Sequence, residues 1–137
     1  MREVMMKRLL LGLMLLATAG AAGAGWTDVG STGDGTDDFI HYVDRATIRK
    51  SGNLVKMWNL KNYKTVRTLA GYSLLSMMTQ EEYDCMEEKR RLLAFTWFDG
   101  QMGNGKVVVT DSDTGKWSPI RPGSIAETMF EVACGKK

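Results

Sequence analysis

His41 is the single histidine in 137 residues. An imidazole between Ile40 and Tyr42 could titrate near neutral pH or serve as a general base. Base catalysis needs a partner, and no serine, cysteine or carboxylate stands in a sequence relation that would place one beside it. The favoured reading is a packing or surface residue on a strand. The alternative is a small periplasmic enzyme or ligand-binding protein that uses His41 and nearby carboxylates.

Cys85 and Cys134 are the two cysteines of the chain. A redox pair would want C-x-x-C, which is absent. A zinc site would want about four Cys or His ligands, and the chain offers three. In an oxidising compartment two thiols with none left over pair with each other. A structural Cys85–Cys134 disulfide is therefore predicted.

Three further stretches resemble ligand loops. Gly100-Gln101-Met102-Gly103-Asn104-Gly105-Lys106 has the G-x-x-x-x-G-K spacing of a phosphate loop. Val107 stands where a magnesium-binding Ser or Thr belongs, and VVVT continues as a strand where a helix should open. The stretch is predicted to be a hairpin loop. GDGTDD (33–38) and DSDTG (111–115) are acidic, but neither puts Gly at position 6 and Glu at position 12 of a calcium loop. They read as turns. In EEKRR (87–91), three basic residues follow two acids, and the run reads as a solvated turn. Trp58, Trp97 and Trp117 are candidates for the core or for a groove. No catalytic, cofactor-binding or metal-ligating residue is assigned, no cofactor is expected, and the residues that bind a partner are left open.

The elements that must carry these residues begin after a targeting segment. Arg2, Lys7 and Arg8 precede the apolar run LLLGLMLL and the small residues ATAGAAGAG. This is the layout of a secretory signal peptide, assigned to residues 1–24 with cleavage after Ala22-Gly23-Ala24. An uncleaved anchor would sit at the short limit for a membrane span. No stable span is expected after cleavage. The full chain has 18 basic and 16 acidic residues. Removing residues 1–24 takes away three basic residues and one acid, leaving 15 of each. A neutral exported chain has no electrostatic case for nucleic acid. Residues 25–137 form one domain of modest core.

Ser124 and Glu127 form a capping box behind Pro122-Gly123. Ile125, Ala126, Met129, Phe130, Val132 and Ala133 then fall on one helical face, and Gly135 ends the helix. A helix with one apolar face must lie on something. Strands are predicted at 26–30, 39–43, 54–63, 92–98 and 106–110, with Ser51-Gly52-Asn53 as a turn. Residues 73–85 fit either type: Leu75, Met77, Tyr83 and Cys85 alternate as on a strand, while the Met, Gln and Glu content suits a helix. The strand is preferred, because it puts Cys85 at a sheet end within reach of the helix. The expected fold is α+β: an antiparallel sheet of about five or six strands, with one C-terminal amphipathic helix packed on one face and pinned by the disulfide.

Tyr42-Val43-Asp44 with Ile48, then Trp58, Tyr83-Asp84-Cys85, Gly100 with Met102-Gly103, Trp117 with Ile120, Pro122-Gly123-Ser124 and Cys134 form an ordered set spanning nearly all of the exported part. In this set the chain resembles the bacterial surface-adhesin protein E-like family. The resemblance implies an antiparallel sheet, a packed C-terminal helix, a Cys85–Cys134 bond, a Gram-negative source and adhesion to host matrix or serum proteins. The chain lacks the cysteine for a lipid anchor, so a periplasmic or secreted product is expected.

The function expected is an exported, non-enzymatic protein-binding module. Its partner would be an envelope or host extracellular protein, met through a sheet face or an edge strand. The further alternative is a structural envelope protein that self-associates, and homodimer formation is left open.

Overall fold

The computed structural model describes residues 25–32 and 38–135. The signal peptide assigned to residues 1–24 and most of the acidic stretch 33–38 lie outside the described residues. Seven strands and one helix follow in chain order: β1 (Trp26–Thr32), β2 (Phe39–Ser51), β3 (Leu54–Leu69), β4 (Tyr72–Asp84), β5 (Lys89–Phe98), β6 (Val107–Asp111), β7 (Ser118–Pro119) and α1 (Ile125–Cys134). The sheet is an antiparallel meander in the order β1-β2-β3-β4-β5-β6, and β7 also pairs with β5. From β1 to β6 each connection is short, so each strand pairs with the one before it.

The two long central strands outrun their sequence signal. β2 reaches Ser51 and β3 reaches Leu69, because each contains an irregularity that lets pairing resume. Between Asp44↔Trp58 and Arg49↔Lys56, β2 advances five residues while β3 advances two. Asp44 holds this bulge. Its carboxylate accepts from the Ala46 amide, its carbonyl accepts from the Thr47 hydroxyl, and that hydroxyl accepts from the Trp58 amide at 3.0 Å. The extra residues bend the strand and let Ile48 pack against the core.

The stretch 73–85 forms strand β4 up to Asp84, as the alternation of Leu75, Met77 and Tyr83 indicated, and Cys85 opens the turn that follows. EEKRR does not stay a turn. The turn ends at Glu88, and Lys89, Arg90 and Arg91 open β5. Strand alternation sends Arg90 and Arg91 to opposite faces. Arg90 pairs with Glu81 at 3.1 Å and Arg91 with Glu82 at 2.6 Å, both on neighbouring β4. The basic run looked solvated because its compensating acids lie on the previous strand.

The helix begins as its capping box requires. The Glu127 amide donates to Ser124 Oγ at 3.2 Å, and Glu127 Oε1 accepts from the Gly123 amide. Met129, Phe130 and Ala133 pack on Val43, Val55, Met57 and Tyr83. The Tyr83 and Phe130 rings meet edge-on at 6.1 Å. Cys134 at the helix end joins Cys85, just past the end of β4, with 5.6 Å between Cα atoms.

On the opposite face lies the loop 99–106, the hairpin connection expected between β5 and β6. It is tied down rather than free. The Ser76 hydroxyl donates to the Gly100 carbonyl at 2.6 Å and accepts from the Gly103 amide at 2.9 Å. Asn62 Oδ1 accepts from the Met102 amide, and Gln101 Nε2 donates to the Tyr63 carbonyl. Gly103 has φ +74°, and a Cβ there would press on Met78 Sδ at 3.0 Å. That is why the loop needs glycine at this point.

Candidate functional site

Length decides where a site can form. β3 has 16 residues, roughly 50 Å of extended chain, while the ten residues of α1 reach only about 15 Å. The helix covers one end of its sheet face and leaves the rest open. The open part is a cleft of about 500 Å³, walled on one side by Ser124, Ile125, Ala126 and Met129 from the start of the helix.

Strand register builds the floor in rows. One row runs His41, Lys61, Met77, Trp97 across β2, β3, β4 and β5. The next runs Val43, Asn59, Thr79, Phe95. A third places Met57, Glu81 and Leu92 together. The cleft therefore has a polar part, His41, Asn59 and Lys61 on β2 and β3 with Glu81 and Arg90 on β4 and β5, and an apolar part formed by Met77, Leu92, Phe95 and Trp97. Leu69 from the far end of β3 also lines the cleft.

The polar end is organised around Glu81. Its carboxylate accepts from the Tyr83 hydroxyl at 2.9 Å and from Arg90 Nη1 at 3.1 Å. Arg90 is thus compensated. Lys61 is not: its ammonium lies over the Phe39 ring at 4.6 Å, and no carboxylate forms a salt bridge with it among the described residues. Burial pulls the Lys61 pKa below its usual value, Glu81 opposes the shift, and Arg90 adds to it.

His41 sits in this cleft, 9 % exposed, with its ring edge-on to Phe39 at 4.9 Å. Burial first, then Lys61 and Arg90, lower its pKa to about 4. It is neutral at physiological pH and a weak base there. Its charged neighbours are cations, whereas an activated imidazole needs an orienting carboxylate. Two buried nitrogens in the cleft lack any hydrogen-bond partner: His41 Nδ1 and Asn59 Nδ2. Asn59 is only 4 % exposed.

The other residues singled out by sequence fall elsewhere. Trp97 lines the cleft. Trp117 lies against the Arg91 guanidinium at 4.4 Å, and Trp58 is half-buried in β3. Cys85 and Cys134 are spent in their bond. Gly100–Gly105 packs beneath the sheet, away from the cleft. Sequence reasoning missed Asn59, Lys61, Glu81 and Arg90. Their only signal was a polar residue at a period-2 position among apolar neighbours, as in Val55, Met57, Asn59, Lys61.

No group of three or more His, Cys, Asp or Glu residues that could hold a metal occurs among the described residues. No described helix is long and apolar enough to cross a membrane.

The sequence model of a family described as surface-adhesin protein E matches residues 26–135. No curated protein matches the chain by sequence. Among solved structures, crystal form II of Haemophilus influenzae protein E is similar, with a TM-score of 0.58 at 14 % identity, over 69 % of this chain and 79 % of that one. The selenomethionine form of the same protein gives 0.57 at 11 % identity, over 79 % of this chain and 94 % of that one. At such identities the likeness is one of fold.

Proposed function

The chain belongs to the surface-adhesin protein E family, and from that premise we propose that it is an exported module that binds another protein without catalysing a reaction. Residues 1–24 act as the cleaved signal, and 25–137 are the working domain, in the periplasm or at the surface of a Gram-negative cell. The partner is an envelope protein or a host extracellular protein.

The observation that carries this reading is the open half of the sheet face. A short helix leaves the row Lys61, Met77, Trp97 and the side chains around it without a covering layer. Half-buried aromatic and aliphatic groups in an open cleft, beside fixed charges, are what a protein contact uses. His41 supports a binding role over base catalysis, since burial and two cations lower its pKa to about 4 and make it a poor proton acceptor near neutral pH.

The test is a capture experiment. Immobilised protein is exposed in parallel to envelope extract and to purified host matrix and serum proteins, beside a Trp97→Ala variant. A partner retained by the wild type and lost by the variant supports the reading. Retention of envelope proteins alone removes the host-adhesin part, and equal retention by both proteins removes the cleft. Elution of the wild type as a concentration-dependent oligomer with no other partner favours the self-associating alternative.

A further inference from the structure

We propose that the cleft captures the C-terminal carboxylate of a partner chain whose last residue is apolar. The inference rests on the cleft being the recognition surface.

Charge selects an anion. The cleft holds Lys61, Arg90 and Glu81, with His41 neutral. Glu81 is engaged by Arg90 and Tyr83, so one cation, Lys61, is left over. The Phe39 ring face and the field of Glu81 offset part of its lost hydration, but the ammonium lacks a directly bonded anionic partner. An incoming carboxylate supplies it.

Unmet hydrogen bonding points the same way. Asn59 Nδ2 is a buried donor without an acceptor, on the strand that carries Lys61 and two residues before it. Residues at that spacing share a sheet face. Leaving such a buried donor unpaired is unfavourable, and an acceptor that reaches it gains by doing so. A carboxylate has two oxygens, one for the Lys61 ammonium and one for the Asn59 amide. The first turn of α1 lines the same end of the cleft, and its dipole favours negative charge.

Shape selects a chain end. The helix wall, Ser124 to Met129, blocks the cleft on the side where the cation lies. A segment lying across β5 and β4 meets that wall once it reaches Lys61, so its carboxylate must terminate it. The volume of about 500 Å³ suits one or two residues. Met77, Phe95 and Trp97 then underlie the last side chain. Capture of a terminal carboxylate is an established mode of peptide recognition.

The experiment titrates the purified protein by calorimetry with an acetylated hexapeptide ending in Leu-Phe. The free acid, the C-terminal amide and decanoate are compared. The free acid is expected to bind at least about ten-fold more tightly than the amide. Lys61→Gln should bring the two peptides to within about two-fold, and Lys61→Arg should restore much of the preference. Trp97→Ala should weaken both peptides alike. Each variant is accepted only if its circular dichroism and melting match the wild type. Equal binding of acid and amide, a preference that survives Lys61→Gln, binding of decanoate alone, or no binding at all overturns the proposal. The two readings fail separately. Trp97-dependent capture of a protein without acid preference removes only the carboxylate inference, whereas acid-selective peptide binding without any captured protein removes only the protein-binding reading.

Discussion

The Tyr83 hydroxyl donates to the Glu81 carboxylate at 2.9 Å, along one face of β4. The two side chains meet because residues two apart on a strand share a face. Tyr83 is fully buried, and burial first, then the charge and hydrogen bond of Glu81, raise its pKa well above the usual value. It is a permanent donor, and with Arg90 it holds Glu81 in place.

Removing Arg90 should therefore cost more than an ordinary surface change. Arg90→Met leaves a nearly buried carboxylate with only the Tyr83 hydroxyl, and the expected loss is about 3 kcal/mol. Glu81→Leu with Arg90→Met removes both charges and should recover part of that loss. Tyr83→Phe should cost about 1–2 kcal/mol. Urea denaturation of the four proteins checks this. A double variant no better than Arg90→Met alone would mean the pair is not electrostatically coupled.

His41 sets an acid limb on stability. Its folded pKa of about 4 lies below the ordinary histidine value of 6.5, so the unfolded chain takes up its proton first. Stability from this residue is complete above about pH 6.5, falls as pH drops towards 4 and is gone below it. The loss amounts to about 3 kcal/mol. His41→Gln should flatten the curve between those limits, and the difference between the two profiles isolates His41 from the carboxylates. Parallel profiles for the two proteins would count against the buried neutral imidazole.

Much of the fold was legible because local pattern and tertiary role agreed. Ser124 and Glu127 announced the helix start, the spacing of Met129, Phe130 and Ala133 gave its buried face, and two cysteines in an exported chain gave the staple. The alternation from Leu75 to Cys85 settled an ambiguous stretch. Legibility failed where a residue's partner lies far away in sequence. Lys64–Leu69 carries mixed polarity and extends β3 only because β4 returns beside it. Arg90 and Arg91 looked solvated because Glu81 and Glu82 come into reach only after the chain turns. The cleft was invisible for the same reason: its rows join residues from four strands, and its openness follows from a helix shorter than the sheet.

Ser76 should matter more than its size suggests. It is fully buried and bonds Gly100 and Gly103 at once. Ser76→Ala leaves a carbonyl and an amide unpaired, and about 2 kcal/mol should be lost. Hydrogen exchange at the Gly103 amide should accelerate by more than the global destabilisation accounts for. If that amide keeps wild-type protection, another group must hold the loop.

The disulfide and the helix cap act on opposite ends of α1, roughly 15 Å apart. Their contributions should therefore add. The bond closes a loop of 49 residues, and replacing both cysteines by alanine should cost about 4 kcal/mol in the chain-entropy account. Ser124→Ala removes the acceptor for the Glu127 amide and should cost about 1 kcal/mol. In the triple variant the sum is expected, measured by urea titration. A triple variant clearly more stable than the sum would show that the helix, once unstapled, has already left the sheet, so that its cap no longer affects the folded state. That result would make the Cys85–Cys134 bond the condition for docking α1, and with it for the helix wall of the cleft.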